Sequence, residues 1–485
     1  MRVVIAFATL CLATCAANKK IVCYFGSWSV YRPGNGKFDI GDIDPTLCTH
    51  LIYTFVGLEN ADVKVLDPWQ DLPNDYGKNG FGRFNAMREK SPSTKTMVAI
   101  GGWNEGSAKY SAMVDNAELR ERFADNVVAF VKKWGFDGFD LDWEYPNQRG
   151  GSAKDVKNFI ELLKVMRQRF DRAGLILSAA VAAAETSASQ SYDITEMSKY
   201  LDFINLMAYD FHGAWEPYTG LNAQLHASKS DSLETRGLNS EAAVKYWLSK
   251  GAPKEKLILG VPTYGRAFTL ANPQSHGIGA ASLGAGAAGP YTREAGMLGY
   301  NEICEMLKKG GWNVNYDEER HAPWAHKDRQ WIGFDDVKSI NAKAEFAKQM
   351  GLGGVMIWSI ETDDFHGICG EKYPLLRAIN AVFLGGKEAS QDQDIVDNND
   401  IPNEVDESNN SDDSTSTSTD NEPIPPPPTP SGNCQVAGPA GVPNSCDFVM
   451  CSLNERGELN ETPMKCHPSL CFDSEKLVCD WPKKN

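Results

Sequence analysis

The 485-residue sequence contains no CxxC pair, no cluster of Lys and Arg, and no apolar run long enough to cross a bilayer. Each absence excludes a class. Cysteines that never pair at metal-ligand spacing exclude a zinc ribbon or finger. Without a basic patch there is no electrostatic footprint for nucleic acid. A membrane-spanning helix needs about 20 consecutive apolar residues, and the run Val3–Leu12 falls short of that.

What is present is unevenly spread. The net charge is −16, and residues 387–433 account for most of it, with twelve acidic residues against one basic. The same stretch holds the run Ser414–Thr419 and the proline run Pro423–Pro430. Such a composition predicts an extended, self-repelling linker over 386–433, serving solubility rather than a partner. Ser and Thr beside Pro invite O-glycosylation, and Asn409 and Asn460 stand in N-glycosylation acceptor motifs. At the other end, Arg2, the apolar run and Thr14-Cys15-Ala16-Ala17 read as a secretory signal over residues 1–17. The protein is therefore expected outside the cell, where disulfides persist. Cys11 and Cys15 leave with the signal. Ten remain: Cys23, Cys48, Cys304, Cys369, and the cluster Cys434, Cys446, Cys451, Cys466, Cys471 and Cys479. An even number predicts disulfides throughout. Residues 434–485 have too little apolar content for a core of their own and depend on those bridges.

Between signal and linker, residues 18–385 carry eight strand-like apolar runs. They fall at Ile21–Trp28, His50–Gly57, Thr96–Gly102, Phe136–Glu144, Leu175–Ala183, Phe203–Asp210, Leu257–Gly265 and Gly354–Ile360. Segments with helical spacing lie between them, among them Leu119–Trp134 and Asp155–Phe170. Eight buried strands alternating with helices predict an α/β fold, a closed (β/α)8 TIM barrel. The interval from 266 to about 350 is too long for one loop and helix, so an α+β subdomain is inserted there. A Cys304–Cys369 bridge could fasten it, and Cys23 and Cys48 could bridge the first two strands.

In such barrels chemistry sits at the C-terminal strand ends. At the fourth, Asp140, Asp142 and Glu144 alternate with Phe139, Leu141 and Trp143. In a strand, residues two apart share a face, so the three carboxylates project into one space. Crowded like charges cannot all ionise, and at least one pKa is expected to rise, which makes a general acid. Asp137, farthest from the rim, is expected to be structural. Aromatic and polar residues stand at the other strand ends: Trp28, Trp103, Asp210, Tyr264 and Trp358.

The stretch Asp137–Glu144, Asp-Gly-Phe-Asp-Leu-Asp-Trp-Glu, resembles the signature of glycoside hydrolase family 18, the chitinase family. Tyr24–Trp28, Gly101–Asn104, Ser178–Val181 and Met207–Gly213 resemble its animal members, in the family's order. The resemblance implies secreted, endo-acting hydrolysis of β-1,4 bonds between N-acetylglucosamine units, with retention and without a cofactor or a metal. It implies Glu144 as the acid, Asp142 as the residue that holds the substrate's acetamido N–H, and Asp140 as the support that shares a proton with Asp142. Tyr209 would position the acetamido oxygen, which attacks in place of a second carboxylate. Asp210 is implied as a sugar contact that also supports the acid. Trp358 is implied as the floor beneath the sugar before the cut, in a long groove. Tyr24, Trp28, Phe55, Pro68, Trp69, Gly101, Gly102, Trp103, Asn104, Tyr145, Ala180, Met207, Trp215, Tyr264, Arg266 and Met356 are its further candidates.

The C-terminal residues resemble the peritrophin-A type of chitin-binding domain through Cys446–Cys451 and Cys479-Asp480-Trp481-Pro482. The family's last cysteine would fall beyond Asn485, and Cys471 stands where the family has an apolar residue. Either the pairing is rearranged or the fold is incomplete. The expected partners are chitin and chito-oligosaccharides, with no nucleic acid and no membrane, and the expected state is a monomer. The rival implied reading is a catalytically weak, lectin-like chitin binder. Such proteins usually lack the acid, and Glu144 is present.

Overall fold

The computed structural model describes residues 19–384 and five short strands between 438 and 480. The chain divides into two compact units, residues 1–393 and 394–485. The signal reading and the linker lie outside the described residues, as do the six cysteines' pairings in the second unit.

Eight parallel strands form the barrel: β1 (Lys20–Gly26), β2 (His50–Glu59), β3 (Lys95–Gly101), β4 (Gly138–Asp142), β5 (Ile176–Ala182), β6 (Phe203–Met207), β7 (Leu257–Pro262) and β8 (Gly354–Trp358). Each pairs with the next. The ring closes where β1 pairs with both β2 and β8, Cys23 opposite Leu51 on one side and Ile357 on the other. All eight expected strands are present. All but β2, which runs on to Glu59, are shorter at the C-terminal end, so Trp28, Glu144, Asp210 and Tyr264 stand just beyond their strands.

Alternation along each strand divides the core. On β1, Ile21, Cys23 and Phe25 face the helices, while Val22 and Tyr24 face the barrel interior. On β3, Val98 and Ile100 face out, and Met97 and Ala99 face in. On β4, Phe139 and Leu141 join the outer core, which leaves Asp140 and Asp142 directed inward. The outer core is sealed by amphipathic helices. Ala117–Trp134 begins at Asn116, whose side chain accepts from the Glu118 and Leu119 N–H groups. It buries Phe123, Val127 and Val131; Leu119, Phe130 and Trp134 are half-buried beside them. Asp155–Ala173 buries Phe159, Leu162, Leu163 and Met166.

The insertion is a six-stranded antiparallel sheet with the helix Tyr300–Lys308. It starts with Tyr264–Leu270 and ends with Gln330–Gly333. The next helix, Val337–Gln349, packs Ile340 and Ala347 into the barrel's outer core. It therefore belongs to the barrel wall, and the insertion ends earlier than residue 350. Cys23–Cys48 bridges β1 to the turn before β2, and Cys304–Cys369 ties the insertion's helix to the loop after β8. In the second unit, Gly438–Gly441, Asp447–Leu453 and Leu459–Lys465 form an antiparallel sheet, and Cys471–Asp473 pairs with Val478–Asp480.

Candidate active site

The site is built from the inward-facing residues of β4 and their neighbours in register. Asp140 lies opposite Ser178 on β5. Its Oδ1 accepts from Ser178 Oγ at 2.5 Å and from Asn205 Nδ2 at 3.3 Å, and its Oδ2 from the Tyr24 hydroxyl at 2.8 Å. Asn205, on β6, also donates to the Tyr24 oxygen at 2.9 Å. Burial raises the Asp140 pKa to about 6, against the lowering pull of these three donors. Its hydrogen bonds thus run to Tyr24, Ser178 and Asn205.

Asp142, nearly fully buried, has an Oδ1 with no hydrogen-bond partner. Burial first, then the charges of Glu144 and Asp140, push its pKa well above the usual carboxylate range. A buried acceptor left open is costly and points to a partner that arrives with substrate. Glu144 stands two residues past the end of β4, half-buried. Burial raises its pKa to about 7; the Asp210 charge adds to this, while Tyr145 and Arg149 oppose it. The segment is anchored from below. Trp143 Nε1 donates to Ser107 Oγ at 3.0 Å, and Ser107 donates to the Tyr145 carbonyl at 2.8 Å. Asp137 sits at the opposite end of the strand, accepting from the Thr96 N–H at 2.9 Å and pairing with Arg88 at 2.9 Å. Its place is structural.

Tyr209 lies half-buried over Met356, its hydroxyl 3.9 Å from the Met356 sulfur and its ring edge-on to Tyr264 at 6.0 Å. Asp210 accepts from the Tyr264 hydroxyl and from Arg266 Nε, each at 2.7 Å. Arg266 also lies 5.4 Å from the Trp215 ring. Met207, Met356, Ala180 and Tyr24 line the barrel interior beside Tyr209. Trp358 forms one aromatic surface with Tyr24 at 5.4 Å, Phe55 at 5.8 Å and Trp28 at 6.3 Å, and Trp28 stacks on Phe55.

Gly101 and Gly102 are buried. A Cβ on Gly101 would lie 2.0 Å from the Asp142 carbonyl oxygen, and one on Gly102 2.7 Å from the Phe55 ring. Both also have positive φ, 116° and 83°, so glycine is required there for backbone reasons. Trp103 and Asn104 are exposed in the turn that follows. Arg149 covers the Trp103 ring at 3.4 Å and donates to the Trp103 and Glu144 carbonyls. Trp69 and Pro68 are exposed on a short helix, with Trp69 stacked on Tyr31 at 6.4 Å. Sequence reading missed Ser178 as a partner of Asp140, and also Asn205, Tyr31 and Arg149. Ser178 and Asn205 were detectable only as polar residues on inward positions of apolar strands.

A (β/α)8 barrel with a carboxyl of raised pKa just past a strand end, beside an aromatic surface, fits a glycan-cleaving hydrolase. The chain belongs to glycosyl hydrolases family 18, whose family model matches residues 20–363. It is 42% identical to probable chitinase 2 of Drosophila melanogaster over 395 residues, covering 75% of this chain and 80% of that protein. The crystal structure of the Ostrinia furnacalis group IV chitinase, also solved with allosamidin, is 47% identical with a TM-score of 0.73, covering 76% of this chain and 100% of that one. Human YKL-39, described as a pseudo-chitinase with retained chitooligosaccharide binding, is 39% identical with a TM-score of 0.70, covering 76% and 100%. Among the described residues no helix is long and apolar enough to cross a membrane.

Proposed function

We propose that this protein is a secreted, monomeric, endo-acting chitinase that cleaves β-1,4 bonds between N-acetylglucosamine units with retention. The observation that carries this reading is Glu144, raised to about 7 at the rim beside an Asp142 oxygen that has no partner. A carboxyl that keeps its proton near neutral pH can donate it to the leaving glycosidic oxygen. As that bond breaks, the substrate's own acetamido oxygen attacks the anomeric carbon and forms an oxazolinium ion. Asp142 Oδ1 is open to accept the acetamido N–H and so to hold the acetamido oxygen against the anomeric carbon. The Tyr209 hydroxyl, with only a distant sulfur beside it, is free to donate to the acetamido oxygen. Water then adds to the anomeric carbon from the face the leaving group vacated, giving its proton to Glu144.

The aromatic surface of Trp358, Trp28 and Phe55 supports the sugar faces; Trp69, Trp103 and Trp215 extend it. Residues 1–17 act as the export signal, and residues 434–485 tether the enzyme to solid chitin through the linker, raising its local concentration there. Incubating the wild type and Glu144→Gln with chitin oligosaccharides and colloidal chitin tests the reading. Cleavage by the wild type alone, with binding by both, is expected. Equal cleavage by the two refutes Glu144 as the acid.

Likeness to a pseudo-chitinase favours a second reading, binding without cleavage. Absence of cleavage by the wild type would establish it.

A further inference from the structure

Glu361 follows β8 in the turn Ile360–Thr362, three residues beyond Trp358, and its side chain is wholly buried. A buried carboxylate requires partners, and those of Glu361 all lie beside the aromatic floor. Its Oε1 accepts from Ser359 Oγ at 2.6 Å, and its Oε2 accepts from the Gly26 N–H at 3.1 Å. Arg32 Nη2 lies 3.6 Å from Oε1, and Arg32 Nη1 donates to the Glu361 carbonyl at 3.4 Å.

These contacts bracket one segment. Gly26 and Arg32 flank the turn Ser27–Tyr31, which carries Trp28. Ser359 follows Trp358 directly. One carboxylate therefore joins both ends of the Trp28 turn to the residue beside Trp358. The fit leaves no slack. A Cβ on Gly26 would lie 2.6 Å from Glu361 Oε1 and 2.8 Å from the Trp28 ring. The two indoles stand 6.3 Å apart at 42°, each packed on Phe55.

We infer that Glu361 is a positioning residue for the reaction: through Gly26, Arg32 and Ser359 it sets Trp28 against Trp358 and so the floor that long chito-oligosaccharides lie on. A buried ion pair contributes little net stability when compared with apolar packing, but it fixes geometry when both partners are held. Sugar faces stack on indoles only at van der Waals range, so a tilt of either ring lowers affinity for chains that span both. The inference rests on the proposed groove.

Binding measured by calorimetry on the full chain, with Glu144→Gln present to prevent turnover, tests it. Glu361→Gln is expected to weaken chitohexaose about tenfold, the equivalent of ~1.4 kcal/mol, and to affect chitobiose little. Ser359→Ala removes one hydrogen bond while keeping the Glu361–Arg32 pair, and it is expected to shift chitohexaose binding in the same direction if Glu361→Gln fails to fold. With Glu144 restored, Glu361→Gln is expected to raise KM while kcat and the pH profile stay as in wild type. A merely bracing role would lower the melting temperature and leave chitohexaose binding unmoved. Unchanged binding in both variants, with Trp358→Ala weakened, overturns the inference alone. Unchanged binding in Trp358→Ala overturns the groove floor and the inference with it.

Discussion

The Tyr24 hydroxyl donates to Asp140 Oδ2 at 2.8 Å from the opposite side of the barrel interior, where both residues are almost wholly buried. Tyr24 comes from β1 and Asp140 from β4, so the bond exists only once the barrel has closed. Hydrogen bonds to a buried charged group are worth about 1.5–3 kcal/mol. Tyr24→Phe removes this donor and leaves the Asp140 carboxylate with Ser178 and Asn205. The Asp140 pKa is then expected to rise, since the lost bond had lowered it. Because Asp140 lies beside Asp142, kcat is expected to fall about tenfold for each ~1.4 kcal/mol lost from the transition state. KM is expected to stay near wild type. Steady-state kinetics on a soluble oligosaccharide, with a thermal melt, check both; an unchanged kcat removes Asp140 from the mechanism.

Arg149 donates to the carbonyl of Glu144, the proposed acid, and its charge opposes the burial that raises the Glu144 pKa. A general acid works only while protonated, so activity is expected to fall as pH rises through about 7. Arg149→Met removes the positive charge, raises the Glu144 pKa further, and is expected to move that alkaline limb to higher pH. Arg149→Lys keeps the charge and is expected to leave the limb in place. The shift should shrink in high salt, because Arg149 is exposed and its field is screened. A limb that does not move in Arg149→Met contradicts the electrostatic account.

Stability should depend on pH through the same physics. Burial raises Asp71, Glu144 and Asp363 to about 7 and Asp140 to about 6. Each holds its proton more tightly folded than unfolded, where carboxyl groups titrate near 4. Their favourable contribution is complete below about pH 4 and is lost as pH rises through 6 to 7. The melting temperature is therefore expected to decline between about pH 4 and pH 8. Asp363→Asn should flatten this slope by one proton's share; Asp363 is far in sequence from the acid motif and accepts from the Leu376 N–H at 3.0 Å. A melting temperature that rises over this interval, or the same slope in Asp363→Asn, contradicts the assignment.

The barrel was legible because its strands are apolar runs of the right length, and the acid motif because charge alternates with Phe139, Leu141 and Trp143. Both barrel disulfides were open from the position of four cysteines. What sequence did not show depends on closure. Nothing in the chain links Glu361 to Gly26, 335 residues apart, or Asn205 to Tyr24, 181 apart. Period-two alternation also placed Glu144 on the strand, whereas β4 stops at Asp142 and the acid is carried on the turn beyond. Leaving the strand is what brings Glu144 near Asp210 and Arg149 rather than into the sealed interior with Asp140. The interval length set the insertion's end near residue 350, and only the packing of Ile340 and Ala347 puts the helix Val337–Gln349 in the barrel wall.

The proposed catalytic residues all lie in the first compact unit, residues 1–393. Removing residues 433–485 therefore leaves every group of the proposed site in place. On short soluble oligomers, where encounter is by free diffusion, kcat/KM is expected to match the full chain. On solid chitin a tethered enzyme gains effective concentration, and overall avidity can rise by about 10²-fold without any new contact at the active site. Activity of the shortened chain on solid chitin is therefore expected to fall, and binding to fall with it, most visibly at low enzyme concentration. Sedimentation with chitin and reducing-sugar release on both substrates measure this. Equal loss on both substrates would assign the tail to folding of the enzyme, and no loss on either would remove chitin from its role.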